Sequence, residues 1–156
     1  MYSAHNGEVV SPDVDSPCFF LNREFVSLER ALGDIDAFTS GTDGGDDPGP
    51  ANWPIVSVPP GFVQNRYYKR DWIPFAGMYS PNVFAIDYVP GPNGTIGQVI
   101  HVDGDGNERT YIAPDFDTFL EMVMRAYDDR RLHERFGWDR DTLPSFLEWR
   151  RGAYGF

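Results

Sequence analysis

A single cysteine, Cys18, and a single lysine, Lys69, stand among the 156 residues. One cysteine excludes an internal disulfide, and with it the disulfide-rich secreted scaffolds, so cysteine usage fits a reducing cytoplasm. No apolar run comes near the roughly 18–20 residues of a membrane span, and the chain lacks the basic-then-apolar start of a secretory signal. Basic side chains are also scarce: 13 Lys and Arg stand against 24 Asp and Glu, for a formal charge of -11 and a pI near 4.5. That sign repels nucleic-acid phosphates and anionic lipid, which argues against nucleic-acid and membrane partners and favours a basic protein. There is no G-x-S-x-G elbow, no phosphate-binding G-x-x-x-x-G-K-[ST] loop and no internal repeat of the length that builds solenoids.

What is present is aromatic and rich in turn formers. Phe, Tyr and Trp make up 15% of the chain, beside 16 Gly and 13 Pro, a mixture that suits short strands and ordered loops and excludes a coiled coil. At this length a chain buries enough surface for a core without metal or disulfide staples, and one domain over residues 1–156 is expected. The acidity is uneven: residues 1–60 hold ten acidic and two basic side chains, residues 61–110 five and four, and residues 111–156 nine and seven. Twelve of the thirteen basic residues are Arg, and they form no single block. Residues 19–26 read as an extended stretch that passes, at Ser27, into a helix to about Asp36 with Leu28, Leu32 and Ile35 on its buried face. Residues 39–52 hold no apolar side chain larger than Ala and predict a long exposed acidic loop. Strands are predicted at Ile55–Val58, Val83–Tyr88, Gly97–Val102 and Arg109–Ala113, the last three as an antiparallel meander. Asp115 is positioned to cap a helix in which Phe116, Phe119, Leu120, Val123, Met124 and Tyr127 form an apolar stripe. A helical tail is expected within 132–156, around Leu143–Arg151.

No catalytic set emerges from these residues, and no metal or cofactor is expected. His5, His101 and His133 are far apart, and none has zinc-ligand spacing. Asp103-Gly-Asp-Gly-Asn107-Glu108 opens like a calcium loop, but it has Glu108 where a Gly is required and Pro114 where a bidentate Glu is required, so it reads as a hairpin turn. The acidic segment with Asp43, Asp46 and Asp47, together with Trp53, Tyr67 and Tyr68, offers charge and aromatic anchors for a protein partner. Tyr67-Tyr68-Lys69-Arg70-Asp71-Trp72 also mixes aromatic and basic side chains as base-stacking segments do, but its basic residues do not offset the acidic field, and packing in the core or at a sheet edge is favoured over base stacking.

Four linked blocks over about fifty residues then match one pattern in order. They are Asp71-Trp72-Ile73-Pro74-Phe75-Ala76, then Asn82 to Pro92 with Asp87, Pro90 and Gly91, then Gly94-Thr-Ile-Gly97-Gln98-Val99-Ile100, and Ala113 to Leu120 with Asp115 and Phe116. This order resembles the SUKH superfamily, the family of fungal Knr/Smi cell-wall assembly regulators and of many bacterial immunity proteins, with a matched core of about residues 19–127. The resemblance implies an α+β fold, a single twisted, mainly antiparallel sheet with helices packed on it. Where that family has an acidic Gly-Gly-Asn turn, this chain has Gly77 to Asn82, so no ligand role is carried over there. Tyr2 to Gly7 resembles the end of the family's opening helical segment, which implies that its first helices are missing here; an apolar patch left by them would suit a second copy of the chain, as a homodimer. Physically, Trp72, Pro74, Asn82, Asp87, Pro90, Gly91, Gly97, Gln98, Asp115 and Phe116 read as fold determinants, with Pro74 and Pro90 at strand ends and Gln98 satisfying buried backbone groups.

The resemblance implies a non-enzymatic, cytoplasmic protein-binding domain. The favoured version is an immunity protein that occludes a cognate bacterial toxin, possible nuclease toxins being basic where they hold phosphate. The alternative is an intracellular scaffold or regulator like the fungal members.

Overall fold

The computed structural model describes residues 24–40, 46–47, 49, 52–77, 82–128 and 142–154. Glu24–Phe25 forms β1, and Ser27 caps helix α1, Leu28–Thr39. The Ser27 hydroxyl accepts the Arg30 backbone N–H at 3.1 Å, satisfying an amide that the first turn leaves without an intrahelical acceptor. The buried face of α1 is Ala31, Ile35 and Thr39. Leu28 and Leu32, expected on that face, are 43% and 54% exposed. They lie roughly 60–100° round the helix from Ala31, so a face centred on the Ala31–Ile35–Thr39 row turns both toward water.

The remaining strands are β2 (Asp46–Asp47), β3 (Val56–Val58), β4 (Tyr68–Lys69), β5 (Trp72–Gly77), β6 (Val83–Asp87), β7 (Gln98–Val102) and β8 (Glu108–Ala113). They are followed by helices α2 (Phe116–Asp128) and α3 (Thr142–Tyr154). Six strands join in the order β1-β5-β6-β7-β8-β3. β6 to β8 form the expected antiparallel meander, β5 extends it antiparallel to β6, β1 adds antiparallel to β5, and β3 alone runs parallel to its neighbour, β8. This is the α+β, mainly antiparallel architecture that the sequence led us to expect. Two local expectations need correction. β2 pairs with β4, Asp46 opposite Lys69 and Asp47 opposite Tyr68, so part of the acidic segment 39–52 is a strand and not loop throughout. Main-chain amides can form a ladder whatever side chains they carry, and a turn-rich composition is silent about that. Pro74, expected at a strand end, lies inside β5, next to the register shift between Pro74 and Ala76; a bulge relaxes the ladder where proline has no N–H to donate.

Side chains alternate across the sheet and feed two cores. Val83, Ala85, Ile100, Val102 and Tyr111 face α1 and the segment before β4, where Trp72, Tyr68, Val63 and Ile35 complete one cluster. Phe75, Phe84, Val99 and Ile112 face the other way, against Phe119, Met122, Val123 and Ala126 of α2 and Phe146 of α3. Asp115 caps α2, its Oδ1 accepting the Thr118 N–H at 2.7 Å. The stripe differs from expectation at one place: Met122 is buried and Met124 is 67% exposed, because the buried row runs 119, 122, 123, 126. α3 packs through Phe146, with Leu147 and Trp149 partly buried against the same core. Its Arg150 is buried, donates from Nε to the Ile112 carbonyl at 2.9 Å, and sits over the Tyr111 ring at 5.7 Å. Burial lowers its pKa to about 10. Among the described residues no helix is long and apolar enough to cross a membrane.

Phe146→Ala should destabilise the protein by about 3–5 kcal/mol, the usual cost of emptying a packed aromatic site, whereas Met124→Ala should stay within about 0.5 kcal/mol. Urea denaturation of the two variants checks this; equal midpoints would contradict the packing of α3.

Candidate functional site

The first three matched blocks meet at one end of the sheet, around the carboxylate of Asp87. Its position is set by β6 and β7: Asp87 ends β6 directly opposite Gln98, the first residue of β7, and Trp72 starts β5 on the other side. All three side chains are fully buried. Asp87 Oδ1 accepts the Trp72 indole N–H at 3.0 Å and the Val89 backbone N–H at 2.8 Å, while Oδ2 accepts from Gln98 Nε2 at 2.9 Å. Gln98 continues outward: Nε2 also donates to the Phe62 carbonyl at 2.8 Å, and Oε1 accepts the Thr95 N–H at 3.1 Å. A buried carboxylate survives only when its lone pairs are taken by donors, and here three N–H groups do that.

The loop between β6 and β7 is folded onto this hub. Gly91 donates to the Phe62 carbonyl at 2.9 Å and packs so closely on Gly61 that a Cβ there would collide with the Gly61 carbonyl. Gly97, at φ +88°, turns the chain back and donates to the Asp87 carbonyl at 2.8 Å. Gln64 Nε2 reaches the Val89 carbonyl at 2.8 Å, so the 60–64 segment and the 88–97 loop are held as one piece. Asn82 lies apart from the hub, its Oδ1 3.0 Å from His101 Nε2. Phe116 is half-buried and meets Phe75 edge-on at 5.1 Å.

The residues expected to meet a partner divide. Asp43 lies outside the described residues. Asp46 and Asp47 form β2, and Trp53 is 47% exposed. Tyr67 is half-buried, its hydroxyl donating to the Gly104 carbonyl at 3.3 Å. Tyr68 does not belong to a contact surface: it is fully buried, donates to the Trp72 carbonyl at 3.1 Å, and burial pushes its hydroxyl far above the usual phenol range. The core reading of Tyr68 therefore holds, and the partner role assigned to it is withdrawn. One residue escaped sequence reasoning altogether. Arg109, first read as one more scattered cation, is fully buried on β8. Its Nε donates to the carbonyls of Arg66 and Tyr67, both at 3.1 Å, and Nη1 to those of Asp103 and Glu108, both at 2.8 Å. It clamps the segment before β4 to the β7–β8 turn. Asp103 shapes that turn by accepting the N–H groups of Asp105 and Gly106 at 3.1 and 3.0 Å, as the hairpin reading requires. Among the described residues no group of three or more His, Cys, Asp or Glu side chains is arranged to hold a metal ion.

Burial pushes the Asp87 carboxyl above its ordinary value of 3.8; donation from Val89, Gln98 and Trp72, and the charge of Lys69, pull it back only in part. Because the folded value is the higher one, the contribution of this group is full below 3.8 and falls as pH rises through the folded value. Asp87→Ala, which strands three buried donors, should cost about 3–5 kcal/mol. Gln98→Glu sets a second carboxylate against Asp87 Oδ2, so its penalty should grow as pH rises from about 4 to 7, with a Tm deficit at neutral pH that shrinks in acid. Thermal melts across that range test the hub; a pH-independent deficit would contradict it.

Comparison with known proteins places this geometry. The model of the SMI1 / KNR4 family (SUKH-1) matches residues 2–122. The cell wall biosynthesis/cell cycle regulator smi1 of Schizosaccharomyces pombe is 43% identical over 73 residues, 47% of this chain and 14% of the relative. The glucan synthesis regulatory protein of Neurospora crassa is 37% identical over 75 residues, 48% of this chain and 14% of the relative. A KNR4/SMI1 homolog of Yarrowia lipolytica is 34% identical over 100 residues, 63% of this chain and 13% of the relative. The similarity thus spans a small part of each regulator's length. With a family match over most of its length, the chain belongs to the SMI1/KNR4 (SUKH-1) family.

Proposed function

We propose that this chain is a protein-binding module of the kind that serves in regulators of cell-wall assembly, acting inside the cell as a scaffold and not as an enzyme. The observation that carries this reading is the similarity to the smi1 regulator, 43% over 73 residues. The geometry supports a binding role in a second way. Trp72, Asp87 and Gln98, three residues of the matched blocks, are buried and spend their hydrogen bonds on one another and on main chain. Groups so engaged hold a fold together, and recognition is left to exposed side chains, which are free to differ from one member to the next. The net charge of -11 suits basic partners, for which it provides attraction over distance. The toxin-immunity reading rests on that charge and on the wider superfamily, whereas two of the three relatives described above are regulators by name. We therefore favour the regulator.

Affinity capture with the tagged full chain from its native cells, with quantitative mass spectrometry at low and high salt, tests the proposal. Recovery of signalling or cell-wall biosynthetic proteins is the expected result. Recovery of one small basic toxin domain would restore the immunity reading, and turnover of a substrate by the purified chain would overturn both.

A further inference from the structure

Resting on the protein-binding reading, we infer that the face built by Trp53, Val56 and the β7–β8 turn docks a basic segment of a protein partner, one with Arg or Lys beside an apolar side chain. Trp53 and Val56 are 47% and 39% exposed, apolar surface held in a segment that is firmly fixed. Asn107 does the fixing: its Nδ2 donates to the Pro54 carbonyl at 3.1 Å, and its own carbonyl accepts the Val56 N–H at 2.8 Å. The parallel pairing of β3 with β8 sets Val56 directly beside Glu108. Residues more than fifty positions apart in sequence therefore form one surface, a rigid scaffold presenting its loops.

The charge of this surface identifies its occupant. Asp105 and Glu108 are exposed, Glu108 directly beside Val56 in the β3–β8 pairing and Asp105 in the turn that leads into β8. The cation of the same turn, Arg109, is directed inward, buried and bonded to main-chain carbonyls, so what the turn presents outward is acidic. Gly49, just beyond β2, lies against Tyr67 and Ile55 and brings the backbone of that segment to this end of the molecule. A Trp face bordered by carboxylates binds a guanidinium or ammonium group through the ring and the charges together, and its preorganised backbone lowers the ordering cost of association.

The test uses the full chain labelled with 15N and two amidated peptides, one alternating Arg and Leu, the other Glu and Leu. The Arg peptide should shift the Trp53 indole and the amides of Val56, Asn107 and Glu108, and the Glu peptide should not. Trp53→Ala, and separately the pair Asp105→Lys with Glu108→Lys, should weaken the Arg peptide about tenfold or more, with unchanged Tm since all three positions are exposed. Shifts centred instead on Leu28 and Leu32 or on Tyr88 and Ile96, shifts spread evenly over the acidic surface, or variants that bind as the parent does would overturn this assignment. In those cases the binding-module reading stands if the variants still capture the parent's cellular partners; it falls only if the parent captures none.

Discussion

The end of the sheet where β5, β6 and β7 meet depends on one buried carboxylate. Asp87 would be untenable in a protein interior without donors, and the three it finds come from three different segments: β5 through Trp72, β7 through Gln98, and the loop after β6 through Val89. Each donor is thereby fixed in place by a requirement that it cannot evade without leaving a charge unpaired. Gln98 then passes the constraint to Phe62 and Thr95, so a loop without regular structure is as well determined as the strands that it joins. Close packing of Gly91 on Gly61 follows from the same geometry, because only chains drawn so near leave no room for a Cβ.

Two buried cations play a corresponding part elsewhere. Arg109 gathers carbonyls from the β7–β8 turn and from the segment leading into β4, and so ties the edge near β3 to the body of the sheet. Arg150 attaches α3 to β8 through the Ile112 carbonyl and the Tyr111 ring. A guanidinium suits both places: at Arg109 its planar fork serves several carbonyls at once, and at Arg150 it donates to one carbonyl while lying over an aromatic ring, where an ammonium group would act as a single point of charge. The abundance of Arg in the chain, which by itself says nothing about role, thus includes at least two residues whose function is to hold segments together.

This division of labour bears on function. Asp87 and Gln98, with the Trp72 indole, face inward, and exposed apolar groups such as Trp53, Val56, Tyr88, Ile96, Leu28 and Leu32 fall outside the residues that build the hub. A fold arranged in this way preserves its shape through a small set of buried residues while its surface remains open to change. Membership of the family therefore identifies the scaffold, and the choice of partner belongs to the particular side chains and charges on its outside.

The meander, both capped helices and the mainly antiparallel sheet were legible in the sequence because they rest on local signals: alternation over Val83–Asp87, a Ser or Asp before an apolar run, glycine and proline between strands. The matched motifs could also be read as structural, since Trp, Gly and Gln in that order suggest burial and turns. Helix faces were less legible. Leu28, Leu32 and Met124 are apolar at helical spacing, but spacing alone does not say which of two overlapping rows meets the sheet. Tyr68 and Tyr67 are adjacent and alike, yet one is core and the other half-exposed, a consequence of the two-residue strand that only pairing with β2 creates. The burial of Arg109, and the joining of Trp53 and Val56 to the turn at Asp105–Glu108, depended wholly on tertiary structure: carbonyls and side chains distant along the chain converge there, and convergence in space leaves no periodic trace in sequence.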